Sequence, residues 1–336
     1  MTNSEGRYVA IWMCIRQLGP LVGGAISLAL NINTNHAGKV TYTTYQGLVA
    51  ISALGAPFAL LLSQPQNVIR KDGTRIPYMK KTTLGFEARA IWKQLRNREM
   101  LMLIPVFMAG QFGVTYQSNY LTAYFTVRSR ALASFLTAIV GAAGDLVTGL
   151  VLDWNRFSRS TRSKGVYIFV LVFVTGAWTW NAVIESELSR LEDPSTFDLG
   201  GGPWFNSAFA VYLLFKFFYE VLQTYIYWLM AEIKGGQNDG DIARTTGILR
   251  SWESIGSVVA YAVGATSVSN LKQMILGFAL WGFTVPCTLL AIFYYGQKDE
   301  GSNGNDDVEN EAQQDTDVSS LEAQRIGVEV SKSAAV

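Results

Sequence analysis

Long apolar segments dominate the chain, and polar stretches separate them. Eight segments reach the roughly 20 residues that a helix needs to cross the ~30 Å hydrocarbon layer of a bilayer. A segment that crosses lipid must satisfy its own backbone polar groups, so each of the eight predicts a transmembrane helix. They lie at residues 8–30, 43–63, 101–121, 131–152, 166–184, 206–230, 245–268 and 273–295. The pattern predicts an all-α, polytopic membrane protein with two helices before a long polar loop and six after it.

Composition agrees with this prediction. The 336 residues are 49% hydrophobic and 16% charged, with a mean hydropathy of +0.20, which is too apolar for a soluble protein of this length. The formal net charge of +1 gives no indication of nucleic-acid binding. His36 is the single histidine, and both cysteines, Cys14 and Cys287, fall inside apolar segments. With no phosphate-binding glycine loop either, we expect no enzyme activity, no cofactor and no metal site.

Basic residues predict the orientation, because cytoplasmic loops collect Lys and Arg. The loop at 64–98 holds nine of them, and placing it inside puts fifteen basic residues of the loops and ends in the cytoplasm against five outside. Both termini are then cytoplasmic, whereas the choice between plasma membrane and internal membranes stays open. The acidic stretch 185–204 suits the outer face. Arg128 and Arg130 are the exception, since they fall in a short outer loop.

Four regions follow from spans and charge. The polar tail after the last span, residues 297–336, carries ten acidic residues against three basic ones, and we expect it to be disordered and cytoplasmic. The regions are a helix pair at 1–63, a basic cytoplasmic linker at 64–98, a six-helix unit at 99–296 and the acidic tail at 297–336.

Two short motifs resemble those of the major facilitator superfamily, whose two six-helix halves are joined by a cytoplasmic linker. Gly19-Pro20-Leu21-Val22-Gly23-Gly24 is similar to the G-P-x-x-G-G element of the fifth helix in many members. Gly149-Leu150-Val151-Leu152-Asp153, followed by Arg156, Arg159 and Arg162, resembles the loop signature G-x-x-x-D-R-x-x-R-R, with Trp154 in place of the first Arg. In the family a weak copy of this signature joins helices eight and nine, which is where it falls here.

Further landmarks resemble the UNC93-like branch of that superfamily in its fungal form. They run in order along the chain as GRYVAIW at 6–12, GGAISL at 23–28, NIN at 31–33, NVIRKDG at 67–73, TYQ with Asn119 at 115–119, RSRAL at 128–132 and ARTTG at 243–247. The resemblance implies a twelve-helix plan of which this chain holds helices five to twelve. We therefore expect an N-terminally shortened member.

The resemblance also implies function. Members with this plan move a small solute by alternating access, so we expect a transporter-like protein in the lipid bilayer, impaired by the shortening and with an unknown solute. The alternative is a non-transporting accessory protein that regulates or chaperones another membrane protein, which would be its partner.

Charged side chains inside membrane spans are candidates for function, because each costs at least ~2.5–3.5 kcal/mol at the bilayer centre. Lys216, Glu220 and Gln223 share one helical stripe with Tyr227. Either the stripe lines a cavity, with Glu220 as a proton or cation site that Lys216 neutralises, or the ion pair only makes the helix insertable. Both alternatives predict that the stripe faces the interior. Arg16 is expected to extend to the membrane interface.

Uncharged polar residues form a second candidate group. They suit contacts with a polar organic solute, or else hydrogen bonds between helices. The group comprises Gln17 in the first span and Gln111, Tyr116, Gln117 and Asn119 in the third. By resemblance to the family, Asp153, Arg156 and Arg159 form a charge network that holds the two halves in one state. A generic positive cytoplasmic loop is the alternative.

Overall fold

In a computed structural model, the structure describes residues 5–62, 83–154, 156–190, 196–234 and 239–293. Nine helices lie in this part of the chain, and its strand pairing is a single isolated bridge between Phe125 and Phe197. Residues 64–82 of the predicted linker at 64–98, and the whole predicted tail at 297–336, lie outside the described residues. The helices are α1 (Glu5–Asn31), α2 (Tyr42–Leu60), α3 (Leu84–Leu95), α4 (Arg98–Tyr124), α5 (Val127–Leu152), α6 (Arg159–Leu188), α7 (Gly202–Lys234), α8 (Asp239–Gly264) and α9 (Asn270–Phe293).

Six of the described helices, α1, α4, α5, α6, α7 and α9, are long and apolar enough to cross a membrane. The predicted count of eight is not confirmed, although helices occupy all eight predicted segments. Helices α2 and α8 are not among the six: α2 begins with polar residues, and α8 carries Arg250 and Glu253 in its middle. The short α3 lies within the stretch predicted as linker.

Side-chain caps fix where three of the helices begin. Asn97 accepts a hydrogen bond from the backbone N–H of Glu99, and Thr126 and Ser158 do the same for residues three further on. Such caps satisfy donors that the first turn of a helix cannot use internally. The tight break between α4 and α5 is therefore set by Thr126.

Close helix packing depends on glycine. Helix α1 runs antiparallel along α5, and a Cβ at Gly149 would lie 2.3 Å from the Cβ of Ala10. Helix α4 lies along α8, where a Cβ at Gly256 would lie 2.3 Å from the carbonyl oxygen of Met108. Gly19, by contrast, has open space around it. Helix α7 packs against both α5 and α6.

By compactness the chain divides into two units, Met1–Leu289 and Leu290–Val336. The first contains α1 to α8 and most of α9. The described part of the second is the end of α9, at residues 290–293.

Candidate functional site

Helices α1, α5 and α7 meet at an ionic cluster around Glu220, whose side chain is completely buried. Lys216 Nζ lies 2.5 Å from one carboxylate oxygen of Glu220, and Arg16 donates to the other oxygen. Arg16 therefore turns inward to α7 and does not extend to the membrane interface. One carboxylate binds two cations, one from its own helix and one from α1.

A second buried carboxyl group, Asp145, lies beside this cluster on α5. It accepts a hydrogen bond from Thr224 Oγ1 at 2.7 Å and faces Gln17 Nε2 at 3.4 Å. Gly141, one turn earlier, leaves the space in which Gln17 approaches α7, since a Cβ there would lie 3.0 Å from Gln17 Nε2. If Asp145 and Glu220 are both ionised, they balance the two cations.

Asp145 was not among the residues predicted from the sequence. It is a lone acid in an apolar segment, and the energetic cost of an acid inside a span was the signal that could have identified it. Gln17, by contrast, was a predicted site residue, and the structure buries it in this cluster.

Further hydrogen bonds join α7 to α4 and α8. Gln223 donates to Glu253 on α8 at 2.7 Å and to Tyr219 at 2.9 Å. Tyr219 also accepts from Gln111 of α4 at 2.7 Å, and Arg250 pairs with Glu253 at 2.8 Å. The stripe with Lys216, Glu220 and Gln223 faces the protein interior, as both interpretations of it require.

Two other predicted residues of α4 make contacts between helices. Tyr116 donates to Glu185 Oε1 of α6 at 2.9 Å and accepts from Asn181 at 2.7 Å. Asn119 donates to Gln273 of α9 at 3.1 Å. Glu185, which the sequence analysis placed in an outer loop, is a completely buried residue of α6. Both predicted residues thus make hydrogen bonds between helices, and a contact with a solute stays a prediction.

Gln117 differs from its neighbours. It lines a cavity of about 70 Å³ between α4, α6, α7 and α9, whose walls include Trp178, Phe215, Tyr219 and Trp281. Gln117 is 4% exposed, and neither atom of its amide has a hydrogen-bond partner in the described part of the chain. Lys216 reaches the same cavity, so the cavity adjoins the ionic cluster.

Asp153 ties the end of α5 to the beginning of α1. Its carboxylate accepts hydrogen bonds from the backbone N–H groups of Gly6 and Arg7, each at 2.8 Å, and lies 3.5 Å from Arg7 Nε. A carboxylate is stabilised there by the partial positive charge at a helix N-terminus. These partners were not predicted, and a network through Arg156 and Arg159 stays a prediction.

The opposite ends of α1 and α5 are also joined. Arg130 donates to the carbonyl oxygen of Gly38, and the backbone N–H of Arg128 donates to Thr34 at 3.1 Å. The Arg128 side chain binds Asp198 and lowers the pKa of that carboxyl group to about 2. Both arginines that disagree with the charge rule therefore have acceptors at this end of the bundle. In the described residues, no group of His, Cys, Asp and Glu is arranged to hold a metal ion.

Comparison with known proteins identifies relatives over most of the chain. A protein named "Notoamide biosynthesis cluster protein O'" from Aspergillus versicolor is 31% identical over 273 residues, which are 81% of this chain and 58% of that protein. "UNC93-like protein 1" of Arabidopsis thaliana is 26% identical over 311 residues, 91% of this chain and 67% of that protein. An UNC93-like protein of Schizosaccharomyces pombe is 25% identical over 284 residues, 83% of this chain and 56% of that protein.

The chain is a homologue of the UNC93-like proteins. This confirms the resemblance drawn from the landmarks, and with the apolar helices it makes the chain a multi-pass membrane protein. The chain spans only 56% to 67% of the length of these UNC93-like relatives. No family model matches the sequence, and no solved structure matches it.

Proposed function

We propose that this UNC93-like protein moves a small solute by alternating access. In this proposal α1, α2 and α4 to α9 all cross the membrane and correspond to helices five to twelve of a major facilitator plan, with both termini in the cytoplasm. The observation that carries it is the cavity beside the ionic cluster, since Lys216 lines the cavity and also binds Glu220. Alternating access requires a buried solute site and two helical units that move relative to one another. In this proposal the cavity is that site, and the ion pair of Lys216 with Glu220 lies beside it.

The boundary between the proposed units supports this function. Helix α1 belongs to the first helix pair, and it contacts the six-helix unit by polar groups at three levels. Asp153 binds the start of α1, Glu220 binds Arg16 near its middle, and Arg130 binds Gly38 beyond its end. Polar contacts at the two ends can open in turn, because water replaces each lost hydrogen bond there.

Cys14 offers a test that does not need the solute. It is half-buried on α1, with its thiol 3.4 Å from the carbonyl oxygen of Ala142 on α5, so it lies at the boundary that must open. In a Cys287→Ser background it is the only cysteine of the chain. We expect a charged methanethiosulfonate reagent to modify it slowly in vesicles, and several times faster after Asp153→Asn, which weakens one end of the contact.

The matched control is Glu187→Gln. This substitution also neutralises a carboxylate, but Glu187 lies near the C-terminal end of α6 and its ion pair with Arg190 is exposed. If Asp153→Asn leaves the modification rate at the control value, the boundary does not open at that end and alternating access there is refuted.

A second function has one observation in its favour. The structure describes α2 along its whole length, and Thr44 is its single buried residue. Large apolar side chains of the same helix, such as Leu54 and Phe58, are exposed. An accessory protein could bind another membrane protein through this helix. Two experiments distinguish the two functions. An accessory role requires that affinity purification from native membranes yields one stoichiometric membrane partner, which Phe58→Ala releases. Transport requires saturable uptake by the reconstituted protein.

A further inference from the structure

Helix α3 is short and amphipathic, and one of its sides is held against α8 by polar contacts. Arg244 of α8 donates two hydrogen bonds to the carboxylate of Glu87, at 2.7 and 2.9 Å. Two turns further along α3, the buried Gln94 accepts a hydrogen bond from Thr245 Oγ1 at 3.0 Å. Glu87 and Gln94 are seven positions apart, so they lie on the same side of the helix. These contacts therefore fix how α3 is rotated about its axis.

Another side of α3 is an exposed apolar stripe. Leu84 is 90% exposed and Trp92 is 62% exposed, and Ala88 between them is exposed as well. The three residues recur every four positions and so form one stripe, which Ile91 and Leu95 widen. Apolar surface is unfavourable in water, so this side of the helix requires an apolar environment.

A basic side of α3 borders the apolar stripe. Arg89 and Lys93 stand four residues apart next to Ala88 and Trp92, and Arg96 at the end of the helix continues their side. All three basic side chains are exposed. Among the described residues, Arg89 and Lys93 make no ion pair with any part of the chain. Their charges are therefore available to an acidic partner.

The position of α3 puts both sides at the edge of the membrane. The helix ends at Leu95, and α4, which is long and apolar enough to cross a membrane, begins at Arg98. Asn97 between them caps α4. With 12 residues α3 is about 18 Å long, too short to cross the ~30 Å hydrocarbon layer itself. It therefore lies at the level where α4 enters the bilayer.

We propose that α3 lies in the plane of the membrane surface and binds acidic phospholipids of the bilayer that the chain crosses. The apolar stripe enters the boundary between headgroups and acyl chains, and Arg89 and Lys93 bind the lipid phosphates. Interfacial helices have this composition, with Lys or Arg on the polar side and Trp, Phe or Leu on the other. Trp92 lies between the two sides, and an indole prefers the headgroup level. The predicted cytoplasmic position of this stretch is that of the leaflet rich in acidic lipids.

The observations favour a lipid surface over a protein partner. A stable protein interface buries roughly 800 Å² on each partner, far more than a stripe that is three turns long and about one side chain wide. The unpaired charges of Arg89 and Lys93 match lipid phosphates, which are present all along the membrane surface. This surface is separate from the cavity and does not depend on transport.

A spin label on α3 reports whether the stripe meets lipid or water. Replacing both native cysteines by Cys14→Ser and Cys287→Ser leaves a chain in which Ala88→Cys carries the label in the middle of the stripe. Lys93→Cys is the matched control, because it puts the label on the basic side of the same helix. Electron paramagnetic resonance measures collisions with oxygen, which concentrates in hydrocarbon, and with a nickel chelate, which stays in water. In vesicles of phosphatidylcholine and phosphatidylglycerol, we expect the oxygen-to-nickel ratio to be several times higher at Ala88 than at Lys93.

A second pair of variants tests the charge of the lipid. Each basic side chain near an acidic membrane surface favours binding by about fivefold. Arg89→Gln with Lys93→Gln should therefore lower the ratio at Ala88 to the value found in pure phosphatidylcholine, where the same two changes should have no effect. Lys39→Gln with Lys272→Gln removes the same charge from exposed lysines outside α3 and should leave the ratio unchanged.

Three outcomes overturn the proposal. If nickel collisions dominate equally at Ala88 and Lys93, the stripe faces water. If neither reagent reaches the label at Ala88, protein covers the stripe. If the ratio at Ala88 depends neither on phosphatidylglycerol nor on the two basic residues, acidic lipid is not the ligand. The Cys14 test of alternating access concerns α1 and α5, so either proposal can fail while the other stands.

Discussion

Glu220→Gln should be the most destabilising single change in the ionic cluster. The substitution keeps the shape of the side chain but removes the carboxylate that Arg16 and Lys216 share. Two cations then remain without their partner at a buried position of α7. Lys216→Met removes only one of the two ion pairs and leaves Arg16 bound to Glu220.

The structure sets the size of the two effects. Removing one partner from a buried ion pair costs about 3–5 kcal/mol, because the remaining charge is uncompensated. The Arg16 and Lys216 side chains are 33% and 24% exposed, so both can partly relax, and we expect the lower end of that range for Glu220→Gln. For Lys216→Met we expect about 1 kcal/mol or less, since the remaining pair keeps Glu220 neutralised.

Thermal unfolding of the detergent-purified chain, followed by size-exclusion chromatography of heated samples, measures both effects. At about 2–4 °C per kcal/mol, Glu220→Gln should lower the melting temperature by roughly 6–12 °C and Lys216→Met by only a few degrees. The double variant should melt above Glu220→Gln, because it removes one of the two unpaired cations. A double variant that melts lower than Glu220→Gln, or equal losses for the two single variants, would refute a shared carboxylate.

Three further predictions concern other parts of the chain. Gly149→Ala should lower the free energy of unfolding by about 1–3 kcal/mol, because the new Cβ would lie 2.3 Å from that of Ala10. Gly176→Ala, which has open space around it, should cause no measurable loss. Equal melting temperatures of the two variants would contradict the packing of α1 on α5. Glu185→Leu should have a lower melting temperature than Glu185→Gln, because the Gln amide oxygen can still accept a hydrogen bond from Tyr116 or Tyr124, whereas Leu accepts none. The opposite order would contradict the burial of this carboxylate. The pKa of Asp198 is lowered to about 2 in the folded chain, below its ordinary value of ~3.9. Its contribution to stability is therefore complete above pH ~4 and lost as the pH falls toward 2, so the melting-temperature gap to Asp198→Asn should be constant from pH 7 to 5 and close below pH 4. A gap that grows on acidification would show the opposite sign.

The helices were predictable because apolar segments of spanning length are the strongest pattern in the sequence. Every predicted segment contains a helix, although two of them fall short of the apolarity expected of a span. The inward stripe of α7 was also predictable, since Lys216 and Glu220 stand four residues apart and neither tolerates lipid.

The partners of these residues were not predictable. Arg16 and Glu220 are 204 positions apart, and Asp153 binds α1 across 147 positions. No local pattern encodes which helices become neighbours. For Arg16 the sequence therefore predicted only that its side chain extends to the membrane interface. Gln111 and Gln117 show the same limit. Both are glutamines of one helix, yet Gln111 binds Tyr219, whereas the amide of Gln117 has no hydrogen-bond partner in the described residues.

Lys216 connects the cavity with the boundary of α1. It lines the cavity on one side, binds Glu220 on the other, and Glu220 holds Arg16 of α1. A ligand that displaces Lys216 toward or away from Glu220 therefore changes how strongly α1 is held. Thermodynamic linkage makes this relation reciprocal: opening of α1 must change the affinity of the cavity by the same factor by which the ligand changes the opening. Lys216→Met removes the connecting charge, so the rate of Cys14 modification should no longer respond to a ligand that occupies the cavity. A response that survives in this variant would place the connection elsewhere, and Tyr219, which is hydrogen-bonded to both α4 and α7, would be the next residue to test.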